Sequence, residues 1–381
     1  MNGKNMRNKD VEQYARDLVM RSARKNPVWN VEYIRKGRDT DWNYTDCVML
    51  LALWNLGDTL KDSLFHDYVM DYIDGLVDKD GNIPTYDRKA QKLDDICGGC
   101  VLIAPYRKTG NERYRMAASM LRDALASQPR TGDGSYWHKA VYPHQVWLDG
   151  IYMALPFLAL YERDYGNADY TDITIQIKNV KKNMRDKTSG LYYHGYDESR
   201  SAFWADKKTG LSASFWLRSI GWFAMALADL SEILPSGSDR DVITGVFTDL
   251  MKSIREYRDP ENDMYYQIPD RSDLDGNYTE VSGSSMIAYA MLKGVRLNVL
   301  RPEYAEYGRR TFQGIIRDCL TFDRDSGMSS LGGICLSAGL GPESNRRRNG
   351  SFSYYISEPV VCDDAKGISP FLMCYTEMIG L

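Results

Sequence analysis

The chain has 381 residues, 43% hydrophobic and 26% charged, with 48 Lys and Arg set against 52 Asp and Glu. This is the balance of an ordinary globular protein, and the formal charge of −4 leaves no basic surplus to meet a phosphate backbone. Nucleic acid is therefore not expected as a partner. A membrane is not expected either, because no apolar run reaches bilayer length.

The first ten residues, Met-Asn-Gly-Lys-Asn-Met-Arg-Asn-Lys-Asp, lack the apolar core of a signal peptide. A cytoplasmic setting is favoured, with a periplasmic or secreted one open if a leader has been removed. Nothing in these patterns fixes an oligomeric state. Seven cysteines is an odd number, and Cys47, Cys97, Cys100 and Cys374 lie in apolar helical stretches, as reduced core thiols would. The Cys97-Gly-Gly-Cys100 spacing stands without a second pair or nearby histidines, so no metal and no cofactor is expected.

Helical periodicity runs almost from end to end, over 10–25, 44–58, 61–78, 93–107, 111–127, 147–165, 168–185, 215–233, 238–257, 283–299, 303–320 and 369–380. Some stretches are amphipathic, as in Leu64, Tyr68, Tyr72, Ile73 and Leu76. Others are apolar all round, as in Val48 to Leu56, Ile151 to Leu160 and Trp222 to Leu230. A helix apolar on every side is buried on every side. The two kinds alternate.

Between a wet helix and the next dry one lies a Gly/Asp turn with aromatic residues. Examples are Asp80-Gly-Asn-Ile-Pro-Thr-Tyr86, Asp133-Gly-Ser-Tyr-Trp137, Ser189-Gly-Leu-Tyr-Tyr-His194, Asn262-Asp-Met-Tyr-Tyr266 and Asp325-Ser-Gly-Met-Ser329. They recur every 50 to 75 residues, the mark of a degenerate internal repeat. About twelve helices, alternately outer and inner, predict an all-α (α/α)6 toroid with short hairpin-like loops at its open end. With no linker-like stretch, residues 1–381 read as a single domain. The N-termini of the inner helices and the aromatic loops should line the ligand end, where helix polarity suits an anion.

Several residues there could do chemistry. Asp149 sits in Trp147-Leu-Asp-Gly at the mouth of an apolar helix, either as its N-cap or as a working acid. Carboxylic acids among aromatic rings are partly desolvated and hold a proton more readily. Asp94 and Asp95 in Lys92-Leu-Asp-Asp-Ile96 open another inner helix; one suffices as a cap, so the second is expected to face the cavity. His194 lies in a tyrosine-rich loop beside glycine, where ligand contact competes with a loop-stabilising hydrogen bond. Arg218, ahead of an apolar segment, either snorkels outward or meets an anion, Asp149 or a uronic acid. Trp216 and Trp222 are expected to stack on sugar, with core packing the alternative for Trp222. The Arg346-Arg-Arg run reads as a solvated loop or as basic groups for substrate. The 27 tyrosines and eight tryptophans suit a carbohydrate site. No Ser-His-Asp order, P-loop, GxGxxG or HExxH occurs.

The blocks Lys-Leu-Asp-Asp-Ile at 92–96, Trp-His-Lys to Trp-Leu-Asp-Gly at 137–150, Tyr-His-Gly-Tyr-Asp-Glu at 193–198, Trp216 to Trp222 and Gly-Ser-Phe-Ser-Tyr-Tyr-Ile-Ser-Glu-Pro at 350–359 carry a resemblance. Together they make the chain similar, end to end, to the unsaturated rhamnogalacturonyl hydrolases of glycoside hydrolase family 105. The resemblance implies a small oligosaccharide substrate ending in an unsaturated uronic acid, whose 4,5 double bond is hydrated. It implies Asp149 as acid and base, assisted by Asp94. His194, Arg218, Trp147, Trp216, Trp222, Tyr44, Lys139 and Arg348 would contact substrate. Family 88 unsaturated glucuronyl hydrolases share the fold and are the nearest alternative, as is action on ulvan-like oligosaccharides. The family's Arg-Gly-Asn-Gly-Trp is here Arg-Ser-Ile-Gly-Trp at 218–222. A sugar isomerase would want paired histidines from His66, His138, His144 and His194; a non-catalytic carbohydrate binder would keep only the aromatics.

Overall fold

A computed structural model of the chain describes residues 2–22, 29–323, 325 and 327–381. The helices are α1 Asn2–Arg21, α2 Val31–Arg35, α3 Tyr44–Leu60, α4 Ser63–Leu76, α5 Gly99–Thr109, α6 Glu112–Ala126, α7 Leu148–Asp164 and α8 Thr171–Met184. They continue as α9 Leu217–Ile233, α10 Ser238–Ile254, α11 Val281–Arg296, α12 Glu303–Cys319, α13 Phe352–Ile356 and α14 Ala365–Gly380. Six short strands, β1 Gln145–Trp147, β2 Gly195–Asp197, β3 Leu320–Asp323, β4 Met328–Leu331, β5 Ile334–Cys335 and β6 Val360–Val361, pair only as two-stranded antiparallel ribbons.

Helices α3, α5, α7, α9, α11 and α14 pack side by side in that order, and α14 returns to α3 to close a ring. Outside it lie α1, α4, α6, α8, α10 and α12, giving the (α/α)6 toroid. Sequence decides which helix goes where. In α9, 14 of 17 residues are buried, whereas α10 buries only Ile243, Val246, Phe247, Leu250, Met251 and Ile254, one stripe at helical spacing. Inner neighbours approach closely where a side chain is missing: a Cβ at Gly99 on α5 would overlap the Phe157 ring on α7. Among the described residues no helix is long and apolar enough to cross a membrane.

The internal repeat has a backbone counterpart. After α6, α8 and α10 the same isolated antiparallel bridge joins an arginine to a tyrosine: Arg130 to Tyr136, Arg185 to Tyr192 and Arg258 to Tyr265. Each turn needs one residue with positive φ, supplied by Gly134 (90°), Gly190 (73°) and Asp263 (65°). The loops therefore fold back sharply and deliver their aromatic residues to the open end.

Three expected elements differ. The helix expected over 93–107 breaks into a single 3₁₀ turn, Leu93–Ile96, ahead of α5, with Cys97 and Gly98 between. The last helix starts at Ala365 rather than 369, because the Asp364 carboxylate accepts the Lys366 backbone N–H at 2.9 Å. The first begins near the N-terminus, and 23–25 of the expected 10–25 lie outside the described residues. Short α2 and α13, with too little length for a period, were not anticipated. The expected loop at Asp325–Ser329 overlaps the β3–β4 ribbon, with Ser326 outside the described residues.

Candidate active site

The N-terminal ends of α3, α7 and α14 and the 3₁₀ turn Leu93–Ile96 line a cavity of about 330 Å³. Asp149 enters it from the first turn of α7. The cap position belongs to Trp147, which makes no side-chain cap bond, so Asp149 does not close the helix end. Strand pairing then brings its neighbour: β1 runs antiparallel to β2 with Trp147 opposite Gly195, and the Leu148 N–H donates to the His194 carbonyl at 3.1 Å. His194 Nε2 consequently stands 3.1 Å from Asp149 Oδ2. The distance is that of a hydrogen bond but the angle is not, and both atoms are otherwise unpartnered. Such contacts tighten when substrate arrives.

Neither Asp94 nor Asp95 caps a helix either; both reach the cavity from the 3₁₀ turn. Their environments pull them apart. Burial works against the Asp94 charge, yet Lys139 Nζ at 2.5 Å and His138 Nε2 at 3.5 Å hold its carboxyl below the usual range. Burial likewise opposes the Lys139 charge, and Asp94 more than restores it. His138, buried, is pushed down to about 4 and stays neutral. Asp95 has only Lys92 at 3.7 Å; burial and the neighbouring Asp94 charge push it up to about 7.

That shift has a stability consequence. An acid titrating near 7 when folded and near 4 when unfolded makes the native state bind the extra proton between those values, so its contribution falls as pH rises through that window. Asp95→Asn should therefore gain about 1–3 kcal/mol over the parent near pH 8 and nothing near pH 4. Urea melts at the two pH values check this; a variant weaker than the parent near pH 8 would contradict it.

The aromatic wall is continuous. Trp147 stacks on His138 (4.3 Å between centroids) and on Tyr142 (4.8 Å), and its indole N–H donates to Gln145 Oε1 at 3.1 Å. Arg348 lies near Trp147, both flanking Gly339, with Nη2 3.4 Å from Ser337 Oγ. Glu32, Tyr44, Lys92, Lys139 and Lys366 also line the cavity. Burial, with the Asp94 charge nearby, pushes the Tyr44 phenol up, so it stays neutral. The arginine run divides its labour: Arg346 pairs with Glu343, Arg347 with Glu358, and Arg348 faces the cavity.

Of the residues singled out from the sequence, Asp149, Asp94, Trp147, Tyr44, Lys139 and Arg348 meet at this cavity. Four do not line it. Arg218 is 2% exposed: its Nε donates to Ser282 Oγ at 2.7 Å and its Nη2 to Glu280 Oε1 at 3.4 Å and to the Cys335 carbonyl. Its anion is thus Glu280, not Asp149 or a uronate. Trp222 stacks on Tyr152 in the core at 4.7 Å, the packing alternative. Trp216, 1% exposed, and His194, fully buried, stand behind Asp149 rather than on the wall. Sequence reasoning passed over His138 as a site group, although it adjoins Lys139, and Lys366, a buried cation bonded to Asp364. It also passed over Tyr142 and Tyr355.

A larger cavity, about 570 Å³, opens at the opposite end of the ring. Its charged groups satisfy one another, Asp229 with Lys293 and Tyr289, and Glu232 with Lys293 and Arg296. It holds no convergent acid–base set.

A toroid with an acid at the inner-helix N-termini and a stacked aromatic wall defines a class of carbohydrate-active enzyme. A family model described as Glycosyl Hydrolase Family 88 matches residues 15–381, and the chain belongs to this family of glycoside hydrolases. Among solved structures it is similar to the glycoside hydrolase from family 105 of C. acetobutylicum ATCC 824. The two are 38% identical with a TM-score of 0.87 over 92% of this chain and 97% of that one. Protein Atu3128 of Agrobacterium fabrum is 37% identical over 233 residues, 60% of this chain and 99% of that protein. The unsaturated rhamnogalacturonyl hydrolase YesR of Bacillus subtilis is 26% identical over 232 residues, 59% of this chain and 62% of that protein.

Proposed function

We propose that residues 1–381 form one catalytic unit that hydrates the 4,5 double bond of a terminal unsaturated galacturonic acid on a small pectin-derived oligosaccharide. One observation carries this reading. Of the three cavity aspartates, Asp94 is tied to Lys139 and Asp95 faces Lys92, while among the described residues Asp149 has a histidine beside it and no Lys or Arg partner. Ordinary glycosidases need two working carboxyls flanking the anomeric bond. A vinyl ether needs one. Asp149 gives its proton to C4, water adds its oxygen to C5 and returns a proton to the Asp149 carboxylate. The hemiketal so formed opens, and the next sugar leaves from C1.

The Asp94 carboxylate, fixed by Lys139, assists by orienting substrate or water. Arg348 has Ser337 Oγ as its hydrogen-bond partner and no carboxylate among the described residues, which suits it to the uronate carboxylate. Trp147 and Tyr142 offer a flat apolar face to a sugar ring. The test is the ultraviolet absorbance of the conjugated enoate on a panel of unsaturated disaccharides differing in the second sugar. Loss of the band with release of that sugar is expected, fastest on the rhamnose-linked member. A band unchanged on every member would overturn the reading.

A further inference from the structure

Behind the acid lies a relay of two buried side chains. His194 joins Asp149 to Tyr355: Nε2 faces Asp149 Oδ2 at 3.1 Å, and Nδ1 lies 2.6 Å from the Tyr355 hydroxyl. Both His194 and Tyr355 are fully buried. The imidazole is held between Trp216 at 4.7 Å and the edge of Trp147 at 5.4 Å, and Trp216 stacks in turn on Tyr355. The ring therefore has one orientation, and what remains to be set is which nitrogen carries the proton.

Tyr355 sets it. Burial keeps its phenol protonated. Among the described residues the hydroxyl has one hydrogen-bond partner, Nδ1, and accepting from it would leave the buried phenolic proton unpaired, so donation is the favoured direction. A nitrogen that accepts is bare, and the single proton of a neutral imidazole then sits on Nε2. The other tautomer would leave Nε2, 3.1 Å from Asp149 Oδ2, without a proton to offer it.

We propose that Tyr355 is a positioning residue for the proton transfer: it fixes His194 as the Nε2–H tautomer, which engages Oδ2 of Asp149 and leaves Oδ1 to deliver and recover the proton. The kinetic part rests on the hydration reading; the tautomer does not. The other ionisable groups around the relay are Asp94, His138 and Lys139 on the cavity side, with Tyr354 and Cys335 on the side of Tyr355. None of these is altered by the test below.

Tyr355→Phe keeps the ring and removes the hydroxyl. Histidine nitrogen NMR on the labelled full chain, with the His194 signals identified by their loss in His194→Gln, should show Nε2 protonated and Nδ1 bare in the parent. The variant should lose that signature and populate both tautomers. Turnover should fall about tenfold with KM changed less than about twofold. The kcat/KM pH profile should differ from the parent's, because the hydrogen bonding of the acid has changed. A parent His194 protonated on Nδ1, or a variant with spectrum and pH profile unchanged, would overturn the assignment. The spectrum needs no substrate. A chain inactive on every unsaturated uronide that still shows the tautomer change would sink the hydration reading alone.

Discussion

Asp149→Asn is expected to lower turnover of an unsaturated disaccharide by about 10²- to 10⁴-fold, the range over which a positioned acid–base group contributes. The amide keeps the shape of the carboxyl and its acceptor oxygen toward His194 Nε2, but it has no proton to give to C4. Because Asp149 does not cap α7, the substitution removes no helix-end bond. The melting temperature should stay within about a degree or two, as for a substitution away from caps and packed core. Substrate binding should persist, so a disaccharide titrated into the variant should still perturb the fluorescence of Trp147. Activity retained in this variant would remove Asp149 from the mechanism and leave Asp94 and Asp95 as the acids to examine.

The second large effect concerns stability. Arg218→Met should destabilise the protein by about 3–5 kcal/mol, the cost of leaving a buried charge without its partner. The stranded group is Glu280, 0% exposed, which accepts the backbone N–H groups of Ser282, Gly283 and Cys335 at 3.1, 2.7 and 3.0 Å. Arg218 and Glu280 thus fasten the start of α9 to the cap of α11 and to β5. Glu280→Gln on top of Arg218→Met removes the orphaned charge and keeps an acceptor for those donors, so the double variant should regain part of the loss. Denaturant melts of the two single variants and the double variant give the coupling directly. A raised KM with undiminished stability would return Arg218 to the substrate.

The difference between those residues shows what spacing alone can tell. Helix order, the alternation of inner and outer elements and the loops that feed the open end all follow from local period and turn chemistry, which act over a few residues. Asp149 and Asp94 were legible because a carboxylate at the start of a wholly apolar helix has few places to go. Arg218 looked the same by that argument, but its partner lies 62 residues away in sequence. No periodicity reports such a meeting. The tryptophans failed for another reason: a ring suited to stacking on sugar is equally suited to stacking on Tyr152, and only the packed structure separates Trp147 from Trp222. His138 and Tyr355 act through neighbours brought in by β1–β2 pairing and by α13, contacts that a single sequence does not display.

Closure of the ring by α14 against α3 bears on how the enzyme comes into being. These helices lie some 300 residues apart, so theirs is a contact closing a very long loop, of the slow kind to form. The cavity straddles that seam: Asn43 and Tyr44 approach from one lip, Arg348 and Lys366 from the other. During synthesis the acid and its histidine are brought together within residues 145–197, before the side of the cavity that carries Arg348 and Lys366 has been made. A chain stalled before α14 would carry Asp149 and His194 in an unclosed ring, so the packing of α14 on α3 is the step that completes the cavity.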